Sequence, residues 1–339
     1  MKKLIKILLS FVFLALFIFL ISNITLGKRN SFSHKEKFST KEQLENSLKP
    51  FAENKNLNLK HRPSPEEKKD ETKKIFKKDE FSQQIKKTSI QKTGDKNKKN
   101  TPPSKHIRYQ PKPGISWWWQ LSGDIDTSRD AKVYDIDLEE SSKTLIKELQ
   151  QKGKKVICYF NAGAYEPYRK DAKLFPREVL GKTMEGWDDE RWLDVRNYEK
   201  FAQIMRARLD DALAKSCDGV EPDNIDAYQN ETGFPIRAQD QLKYNIWLSQ
   251  EAHKRGLSIA LKNDGDQIPE LEPFFDFALN EECMKYHECE KLIPFIDHGK
   301  AVFHVEYDLD PKDFCAKAKE MHFSSLKMTY DLNGGGSVC

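Results

Sequence analysis

The first 112 residues contain neither tryptophan nor cysteine, and tyrosine occurs there only once, at Tyr109. Over residues 28–112 the only other aromatic side chains are scattered phenylalanines, which excludes a sizeable core from that part of the chain. All six tryptophans and all six cysteines lie beyond it. The two parts also differ in the sign of their net charge. Residues 28–112 hold 24 basic and 11 acidic residues, whereas residues 113–339 hold 30 basic and 42 acidic ones. We therefore expect a disordered, Lys-rich linker over 28–112 and one acidic folded domain over 113–339.

Several signatures of common enzyme classes are also missing. No Gly-x-Gly-x-x-Gly follows the first predicted strand, and no Walker A sequence, His-Glu-x-x-His or Gly-x-Ser-x-Gly occurs. Gly334-Gly335-Gly336 has no helix after it and therefore cannot form the phosphate-binding turn of a dinucleotide fold. These absences argue against nucleotide-binding enzymes, zinc proteases and serine hydrolases.

The N-terminus has the features of an export signal. Three lysines precede an almost unbroken apolar run over residues 7–26, and residues 1–27 contain no acid. The run is longer than a usual signal core and no Ala-x-Ala cleavage site follows it. Residues 1–27 are therefore either a cleaved signal peptide or a signal anchor in which residues 7–26 cross the membrane once. We expect an exported protein, extracellular, periplasmic or at the cell surface.

Short β-rich runs alternate with helical patterns beyond Ile115. Helical spacing is clearest around Ile146 and Leu149, from Phe201 to Leu213, and from Leu242 to Ala252. This alternation predicts an α/β fold, a (β/α)8 TIM barrel, with an open doubly wound sheet as the alternative. The eight predicted strands are Ser116–Leu121, Lys132–Ile136, Lys155–Phe160, Arg191–Val195, Asp218–Pro222, Ser258–Lys262, Phe275–Asn280 and Ala301–Glu306.

Acidic residues follow most of these strands, at the end of a barrel where active sites form. The densest group is Asp218–Asp226, with four acids in nine residues. Carboxylates crowded at one mouth repel one another, so their presence there indicates that they bind a cationic ligand or take part in catalysis. Two carboxylates facing across a pocket can hydrolyse a glycosidic bond, and Trp117–Trp119 offer flat faces for sugar rings.

Strand alternation narrows the choice of acids only in part. It places Glu221 and Asp223 on one side of the fifth strand, with Asp223 nearer the mouth. On the seventh strand, Glu281 shares a face with Leu279 whereas Glu282 shares one with Asn280. Alternation therefore leaves the second acid open between Glu281 and Glu282.

A series of motifs over about residues 115–331 resembles glycoside hydrolase family 114, which contains endo-α-1,4-polygalactosaminidases. The basic linker has no counterpart in that family. The motifs are Ile157-Cys158-Tyr159-Phe160-Asn161-Ala162-Gly163 with Glu166 and Arg169, Gly186-Trp187 to Trp192-Leu193-Asp194-Val195-Arg196, Asp218-Gly219-Val220-Glu221-Pro222-Asp223-Asn224-Ile225-Asp226-Ala227-Tyr228, Leu261-Lys262-Asn263, Asn280-Glu281-Glu282-Cys283, and Lys300-Ala301-Val302-Phe303 with Glu306-Tyr307.

The resemblance implies a TIM barrel that cuts α-1,4-linked galactosamine polymers of microbial exopolysaccharide internally. The family's two essential acids are the Asp of Pro-Asp-Asn and the first Glu of Asn-Glu-x-Cys, which correspond here to Asp223 and Glu281. For cleavage with retention, Asp223 would be the nucleophile and Glu281 the general acid/base. The side chains expected to contact substrate are Trp118, Tyr134, Asp135, Tyr159, Asn161, Glu221, Asn224, Asp226, Lys262, Asn263 and Glu306.

An even number of cysteines in an exported protein predicts disulfides. We expect Cys283 to pair with Cys289 and Cys315 with Cys339, leaving Cys158 and Cys217 either paired or as buried thiols. A zinc site at Cys283, His287 and Cys289 is the competing reading, but it lacks a fourth ligand at a motif spacing. We therefore predict no metal and no cofactor.

The expected partner is a cationic galactosamine polysaccharide, with no nucleic acid, and the protein is expected to be a monomer. Two other readings keep the same barrel. One is a carbohydrate-binding barrel without turnover, and the other is a hydrolase of the same family acting on another amino-sugar or neutral polymer. The basic linker carries the same charge as deacetylated galactosamine, so we expect it to serve as a spacer or to contact an anionic envelope surface.

Overall fold

A computed structural model describes residues 108–339, so the predicted leader and the linker up to residue 107 lie outside the described residues. The described strands are β1 (Trp117–Gln120), β2 (Val133–Asp137), β3 (Lys155–Asn161), β4 (Ala164–Tyr165), β5 (Leu180–Met184), β6 (Trp187–Leu193), β7 (Gly219–Asp223), β8 (Ser258–Lys262), β9 (Phe277–Glu281), β10 (Val302–Glu306), β11 (Ser324–Met328) and β12 (Gly336–Val338). The described α-helices are α1 (Lys143–Gln151), α2 (Ala202–Lys215), α3 (Ala238–Lys254), α4 (Ile268–Leu271), α5 (Ile293–Asp297) and α6 (Pro311–Glu320).

Eight of these strands form one parallel sheet in the order β1-β2-β3-β7-β8-β9-β10-β11, and β12 adds antiparallel to β11. The indole N–H of Trp117 on β1 donates to the carbonyl of Ser324 on β11 at 2.8 Å, which joins the first and last parallel strands. Inside, Trp117 stacks on Phe303 with ring centroids 4.5 Å apart. The predicted (β/α)8 TIM barrel is therefore confirmed, and its strand ends gather at one mouth.

Helix α1 begins at a capping residue, and α1 and α3 end before glycines, as the sequence indicates. The Ser142 side chain accepts a hydrogen bond from the Leu145 backbone N–H at 3.1 Å and caps α1. Gly153 and Gly256, which follow α1 and α3, have φ of 76° and 75°, a backbone region in which glycine has no steric penalty. The three predicted helices over these segments are all present.

Two strand assignments differ from the prediction. The run Arg191–Val195 is not a barrel strand, since residues up to Leu193 belong to β6, which pairs antiparallel with β4 and β5 in a separate three-stranded sheet. The eighth parallel strand is instead β11, Ser324–Met328. Its two serines and one lysine break the apolar pattern by which the other strands were recognised.

The three-stranded sheet belongs to an insertion between β3 and β7, which we define as residues 162–200. It begins where the barrel's third strand ends, and Gly163 lies against the backbone of Asn224 beyond β7. A Cβ at Gly163 would lie 1.6 Å from the Asn224 carbonyl oxygen, so only glycine permits this contact. The insertion is thereby held against the mouth of the barrel.

All six cysteines form disulfides, Cys158–Cys217, Cys283–Cys289 and Cys315–Cys339. The two predicted pairs are present, and the pair left open in the sequence is also bonded. Cys158–Cys217 links β3 to the turn before β7, whereas Cys315–Cys339 ties the end of the chain to α6. Each disulfide restricts the unfolded chain and so stabilises the barrel.

The barrel's contacts extend to residues assigned in the sequence to the linker. The Arg108 side chain lies 3.6 Å from Asp276, the Tyr109 ring packs against the core, and the Pro111 carbonyl accepts the Ala301 N–H at 3.0 Å. Ordered contacts of the domain therefore start before residue 113. Within residues 108–339, no helix has the length and apolar character needed to cross a membrane.

Candidate active site

Three consecutive strands of the barrel end in charged side chains. Asp223 ends β7, Lys262 ends β8 and Glu281 ends β9. Lys262 Nζ lies 2.9 Å from Asp223 Oδ1, 2.9 Å from Glu221 Oε1 and 3.5 Å from Glu281 Oε2. One ammonium thus joins three carboxylates, two of which are the acids that the sequence singled out.

These carboxylates differ in their access to solvent. The side chains of Asp223 and Glu281 are 21% and 27% exposed, whereas those of Glu221 and Lys262 are 0% and 2% exposed. The indole N–H of Trp119 donates to Glu221 at 3.0 Å from the barrel interior. Asp223 and Glu281 are therefore open to the cleft, whereas Glu221 and Lys262 lie beneath them.

Neutral donors fix the orientation of both accessible carboxylates. The Tyr159 hydroxyl and the Asn224 backbone N–H donate to Asp223 at 3.0 and 2.8 Å. The Tyr307 hydroxyl and the Asn263 side-chain amide donate to Glu281 at 2.5 and 3.1 Å. Burial and the adjacent carboxylates raise the pKa of both tyrosines well above 10, so they remain donors across the physiological range.

The charges beneath the site are strongly coupled. Burial alone would lower the pKa of Lys262, but Asp223, Glu221 and Glu281 outweigh it and raise that pKa well above its usual value. Burial raises the pKa of Glu221 to about 7, against the opposing effect of Lys262. Burial, and after it the neighbouring carboxylate of Glu221, raise the pKa of Asp135 well above its usual value. The raised pKa favours the neutral acid, which has a proton to offer to the Glu221 carboxylate.

The turns that follow the strands have unusual backbone conformations. Asn224, Asn263, Asp264 and Glu282 each follow one of these three strands and have φ between 45° and 63°. Non-glycine residues rarely adopt this region, and such strain is concentrated at functional sites. These turns place the Asn224 N–H and the Asn263 side chain against Asp223 and Glu281.

Some side chains expected to contact substrate lie in the interior instead. Trp118 is 0% exposed and is covered by the Arg129 guanidinium, 4.1 Å from its ring centre. Tyr134 and Glu306 are also fully buried, as are Trp117 and Trp119. A barrel strand is covered on both faces, by the core and by the outer layer, so the tryptophans of β1 offer no stacking surface to a sugar.

Glu306 belongs to a separate buried network. Its carboxylate accepts the Met284 backbone N–H at 2.8 Å and lies 2.9 Å from His304, which in turn lies 3.0 Å from the Ser325 hydroxyl. This network supports the loop after Glu281. The sulfurs of Cys283 and Cys289 and a His304 ring nitrogen lie within 4.8 Å of one another, but both sulfurs are already bonded in a disulfide and offer no thiolate to a metal.

The insertion contributes side chains that strand-end reasoning missed, and they contact Asn161, which that reasoning did include. Asn161 at the end of β3 donates to Glu190 on β6 at 3.2 Å, and the Tyr168 hydroxyl lies 2.9 Å from Glu166 and 3.2 Å from Glu190. Arg169 forms ion pairs with Glu166 and Asp137. The sequence did contain one indication of this group. Glu166 and Arg169 belong to the family 114 motif that begins at Ile157 on β3.

A polar cavity of about 180 Å³ lies on the other side of the site, next to Glu281. Tyr286 borders it and is exposed. Burial, with the charge of Asp223, raises the pKa of Asp226 in this cavity to about 6. The cavity is large enough for one sugar ring and adds acidic surface to the cleft. Its lining residues are Asp226, Gln229, Asn263, Asp264, Gly265, Asp266, Asn280, Glu281, Tyr286, Glu288 and Lys291.

Comparison with known proteins supports a carbohydrate-active barrel. The crystal structure of Aspergillus fumigatus Ega3 in complex with galactosamine is 38% identical, with a TM-score of 0.66, over 69% of this chain and 98% of that one. The glycoside hydrolase domain of PelA from Pseudomonas aeruginosa is 12% identical, with a TM-score of 0.55, over 67% and 98% of the two chains, which shows a shared fold alone. Among curated proteins, none matches this sequence.

The family assignment follows from the length of the sequence match. The sequence model of glycoside-hydrolase family GH114 matches residues 98–339, which includes every strand of the barrel and the whole of the insertion. An acidic cleft at the carboxyl ends of barrel strands is the usual place for such a hydrolase's chemistry. The chain is a glycoside hydrolase and belongs to family 114.

Proposed function

We propose that this protein is an endo-acting hydrolase of α-1,4-linked galactosamine polymers that cleaves with retention through Asp223 and Glu281, as a monomer and without a cofactor. The observation that carries the proposal is the pair of solvent-accessible carboxylates held by one buried lysine at the mouth of a family 114 barrel. The similarity to Ega3, whose crystal structure contains galactosamine, supports the choice of sugar.

The separation of the two carboxylates supports retention. Their oxygens lie 2.9 and 3.5 Å from the same Lys262 nitrogen, so the distance between those oxygens cannot exceed the sum of the two. That limit applies to the two nearest oxygens, and close sharing of one cation favours a spacing shorter than the roughly 6.5–9.5 Å between the acids of inverting enzymes, which must place a water between them. It is compatible with the roughly 5–5.5 Å of retaining enzymes.

In the proposed first step, Asp223 attacks the anomeric carbon while Glu281 in its acid form protonates the glycosidic oxygen. The bond from the anomeric carbon to that oxygen breaks, and an ester to Asp223 forms. In the second step Glu281 removes a proton from water, the water oxygen bonds to the anomeric carbon, and Asp223 leaves as a carboxylate. Tyr159 and Asn224 hold Asp223 in the orientation for attack.

The shape and charge of the cleft support internal cleavage of a cationic polymer. The cavity beside Glu281 provides room for a sugar on the leaving-group side, and the insertion adds polar groups on the other side of Asp223. Asp226, Asp266 and Glu288 in the cavity suit a sugar that carries an ammonium group. An endo-acting enzyme needs binding sites on both sides of the scissile bond.

Export is the second part of the proposal. The three disulfides are favoured in an oxidising compartment, outside the cytoplasm. We propose that residues 1–27 direct export, as a cleaved signal or as an anchor through residues 7–26, and that the basic linker acts as a spacer. Extracting cells expressing the full chain with high salt, carbonate or detergent separates a released protein from an anchored one.

The substrate test uses purified protein and α-1,4-linked galactosamine oligomers of defined length. We expect internal cleavage into shorter oligomers, and a loss of at least about 100-fold in rate in Asp223→Asn and Glu281→Gln. Asp130→Asn and Glu178→Gln serve as controls because both residues are exposed on the surface. Normal binding without cleavage would instead favour the carbohydrate-binding barrel, and cleavage only of another polymer would refute the substrate assignment.

Azide distinguishes the roles of the two acids. With an activated substrate, azide should react directly with the anomeric carbon in Asp223→Ala and give a glycosyl azide of inverted configuration. In Glu281→Ala, azide should intercept the ester to Asp223 and give a glycosyl azide of retained configuration. The opposite pattern of products would exchange the two roles.

A further inference from the structure

Glu190 on β6 is a buried carboxylate at the edge of the active site, with only 8% of its surface exposed. Asn161 Nδ2 donates to one of its oxygens at 3.2 Å, and the Tyr168 hydroxyl lies 3.2 Å from the other. The Asn161 amide is oriented by the Ala164 N–H, which donates to its carbonyl oxygen at 2.7 Å. Asn161 is also the register partner of Asp223 on the adjacent strand, so Glu190 is one side chain away from that acid.

Glu190 differs from the acids around it because no basic side chain forms an ion pair with it among the described residues. Asp223, Glu221 and Glu281 share Lys262, and Glu166 and Asp137 share Arg169. Among the described residues, no Lys, Arg or His nitrogen lies within 4.0 Å of the Glu190 carboxylate. The single Tyr168 hydroxyl proton is shared with Glu166, which lies closer. A carboxylate offers about four lone-pair sites, so Glu190 retains acceptor capacity for a ligand.

Its surroundings disfavour the ionised form of this carboxyl in the absence of a ligand. Burial first, then the charges of Glu166 and Asp223, raise the pKa of Glu190 to about 7, while Tyr168 and Arg169 act in the opposite direction. A buried carboxylate without a counter-ion is unfavourable unless a ligand supplies the positive charge. The cationic ligand available to this enzyme is the sugar that it binds.

We propose that Glu190 is the receptor for the ammonium group on C2 of the galactosamine that binds at Asp223. This inference rests on the proposed function and adds the group that distinguishes a deacetylated from an N-acetylated sugar. C2 is bonded directly to the anomeric carbon, so its substituent must lie close to Asp223, and Asn161 places Glu190 one side chain away from that acid. Asn161 and Tyr168 orient the carboxylate for that contact.

The contact selects against N-acetyl sugars for two physical reasons. An acetamide carries no charge, so binding it would leave the buried Glu190 carboxylate without a cation. Its N–H also offers a single donor where an ammonium offers three. Because the ammonium contact exists before and during bond cleavage, removing it should act mainly on KM rather than on kcat.

The test compares wild type with Glu190→Gln, which keeps the shape and the hydrogen-bonding groups but not the charge. On deacetylated oligomers we expect KM to rise about 10- to 100-fold, the loss typical of a hydrogen bond to a charged group. On N-acetylated oligomers of the same length, kcat/KM should be unchanged or higher. Glu178→Gln on the same insertion is the matched control, since Glu178 pairs with Lys200 at the surface.

The pH dependence of KM gives a second readout, which a purely structural residue would not change. Ammonium binding requires ionised Glu190, so the wild-type KM for deacetylated oligomers should rise as pH falls below about 7. Asp226 and Glu221 titrate nearby in both proteins, so the informative quantity is the difference between wild type and Glu190→Gln. We expect the ratio of their KM values to shrink toward one at low pH.

Calorimetric binding of galactosamine and N-acetylgalactosamine to both proteins tests the contact without turnover. Weaker galactosamine binding by Glu190→Gln, with unchanged N-acetylgalactosamine binding, would support the assignment. Equal losses for both sugars, or an unchanged KM in Glu190→Gln, would overturn it while leaving the proposed function intact. A wild-type protein that binds galactosamine yet cleaves no oligomer would refute the proposed function instead. Thermal midpoints of the variants confirm that each is folded.

Discussion

Lys262 Nζ donates to Glu221 Oε1 at 2.9 Å inside the barrel, where both side chains are almost completely buried. Glu221 therefore holds the lysine from below, and the same ammonium reaches Asp223 and Glu281 above it. A single cation thus offsets part of the mutual repulsion among three carboxylates. We therefore expect activity to depend on this buried pair as well as on the two more exposed acids, Asp223 and Glu281.

Replacing Lys262 with methionine should lower both activity and stability. The variant leaves Glu221 buried without its cation, and breaking a buried ion pair typically costs about 3–5 kcal/mol of unfolding free energy. We expect kcat to fall at least about 100-fold because Asp223 and Glu281 lose their shared partner. Denaturant unfolding and initial rates measure the two effects. Lys312→Met at the surface is the control, and wild-type stability in Lys262→Met would contradict the coupling described above.

Asp135 should tolerate asparagine but not leucine. Burial and Glu221 raise the pKa of Asp135, which favours the neutral acid in the folded protein, and an amide reproduces the donor of that form. We expect Asp135→Asn to keep kcat within about 3-fold, and Asp135→Leu to lower it about 10-fold or more by leaving Glu221 without that donor. Equal activity of the two variants would argue against a hydrogen bond from Asp135 to Glu221.

The stability of Asp135→Asn should also depend on pH in a defined direction. Between the unfolded pKa of about 3.9 and the raised folded pKa, the folded wild type binds more protons than the unfolded chain, so this group's contribution falls as pH rises. Asparagine does not titrate, so the stability of the variant does not fall with pH for this reason. The difference in thermal midpoint, variant minus wild type, should therefore increase from pH 4 towards pH 8. A difference that stays constant over this range would show that Asp135 is ionised in the folded protein.

The Cys283–Cys289 disulfide should affect activity, whereas Cys315–Cys339 should affect stability alone. The first closes the loop after Glu281 that carries Tyr286, and the second fastens β12 to α6. We expect the Cys283→Ala/Cys289→Ala variant to lose about 2 kcal/mol of unfolding free energy and to show a higher KM. Cys315→Ala/Cys339→Ala is its matched control and should keep wild-type kinetics at a temperature where both are folded. A KM increase of equal size in both would disprove the distinction.

Substrate binding should weaken with salt. Residues 113–339 hold 30 basic and 42 acidic residues, and several of the acids line the cavity beside Glu281. Attraction of a cationic polymer to this cleft is screened as ionic strength rises, so KM for deacetylated oligomers should increase between about 20 and 500 mM salt. N-acetylated oligomers serve as the uncharged comparison. A KM for the cationic oligomers that is independent of salt would exclude long-range attraction.

The sequence was sufficient for most of the barrel because seven of its strands are apolar runs bounded by turn residues. The eighth, Ser324–Met328, has a polar composition, and it becomes a strand only because β10 offers it a pairing edge. Arg191–Val195 has the composition of a barrel strand, yet its residues up to Leu193 pair within the insertion. Both cases depend on which strand lies alongside, and local composition does not encode that neighbour.

The candidate site shows the same division. Asp223, Lys262 and Glu281 come together because parallel strands bring their ends to one mouth. The resemblance to family 114 had already indicated all three as site residues. The stacking surface expected at Trp118 is absent from β1, since both faces of that strand are covered. Glu190 was not predicted, because its approach to Asn161 depends on how a three-stranded sheet folds back over the barrel.

The insertion also bears on how such enzymes diversify. Asp223 and Glu281 are attached to strands that the whole barrel holds in place, whereas Glu190 and Tyr168 belong to a segment that begins after β3 and returns to the barrel at α2. On the assignments proposed for Glu190, Asp223 and Glu281, mutations within residues 162–200 would change which sugar is accepted while the bond-breaking groups keep their positions. Grafting this segment between family members would be a direct way to exchange polymer preference without rebuilding the catalyst.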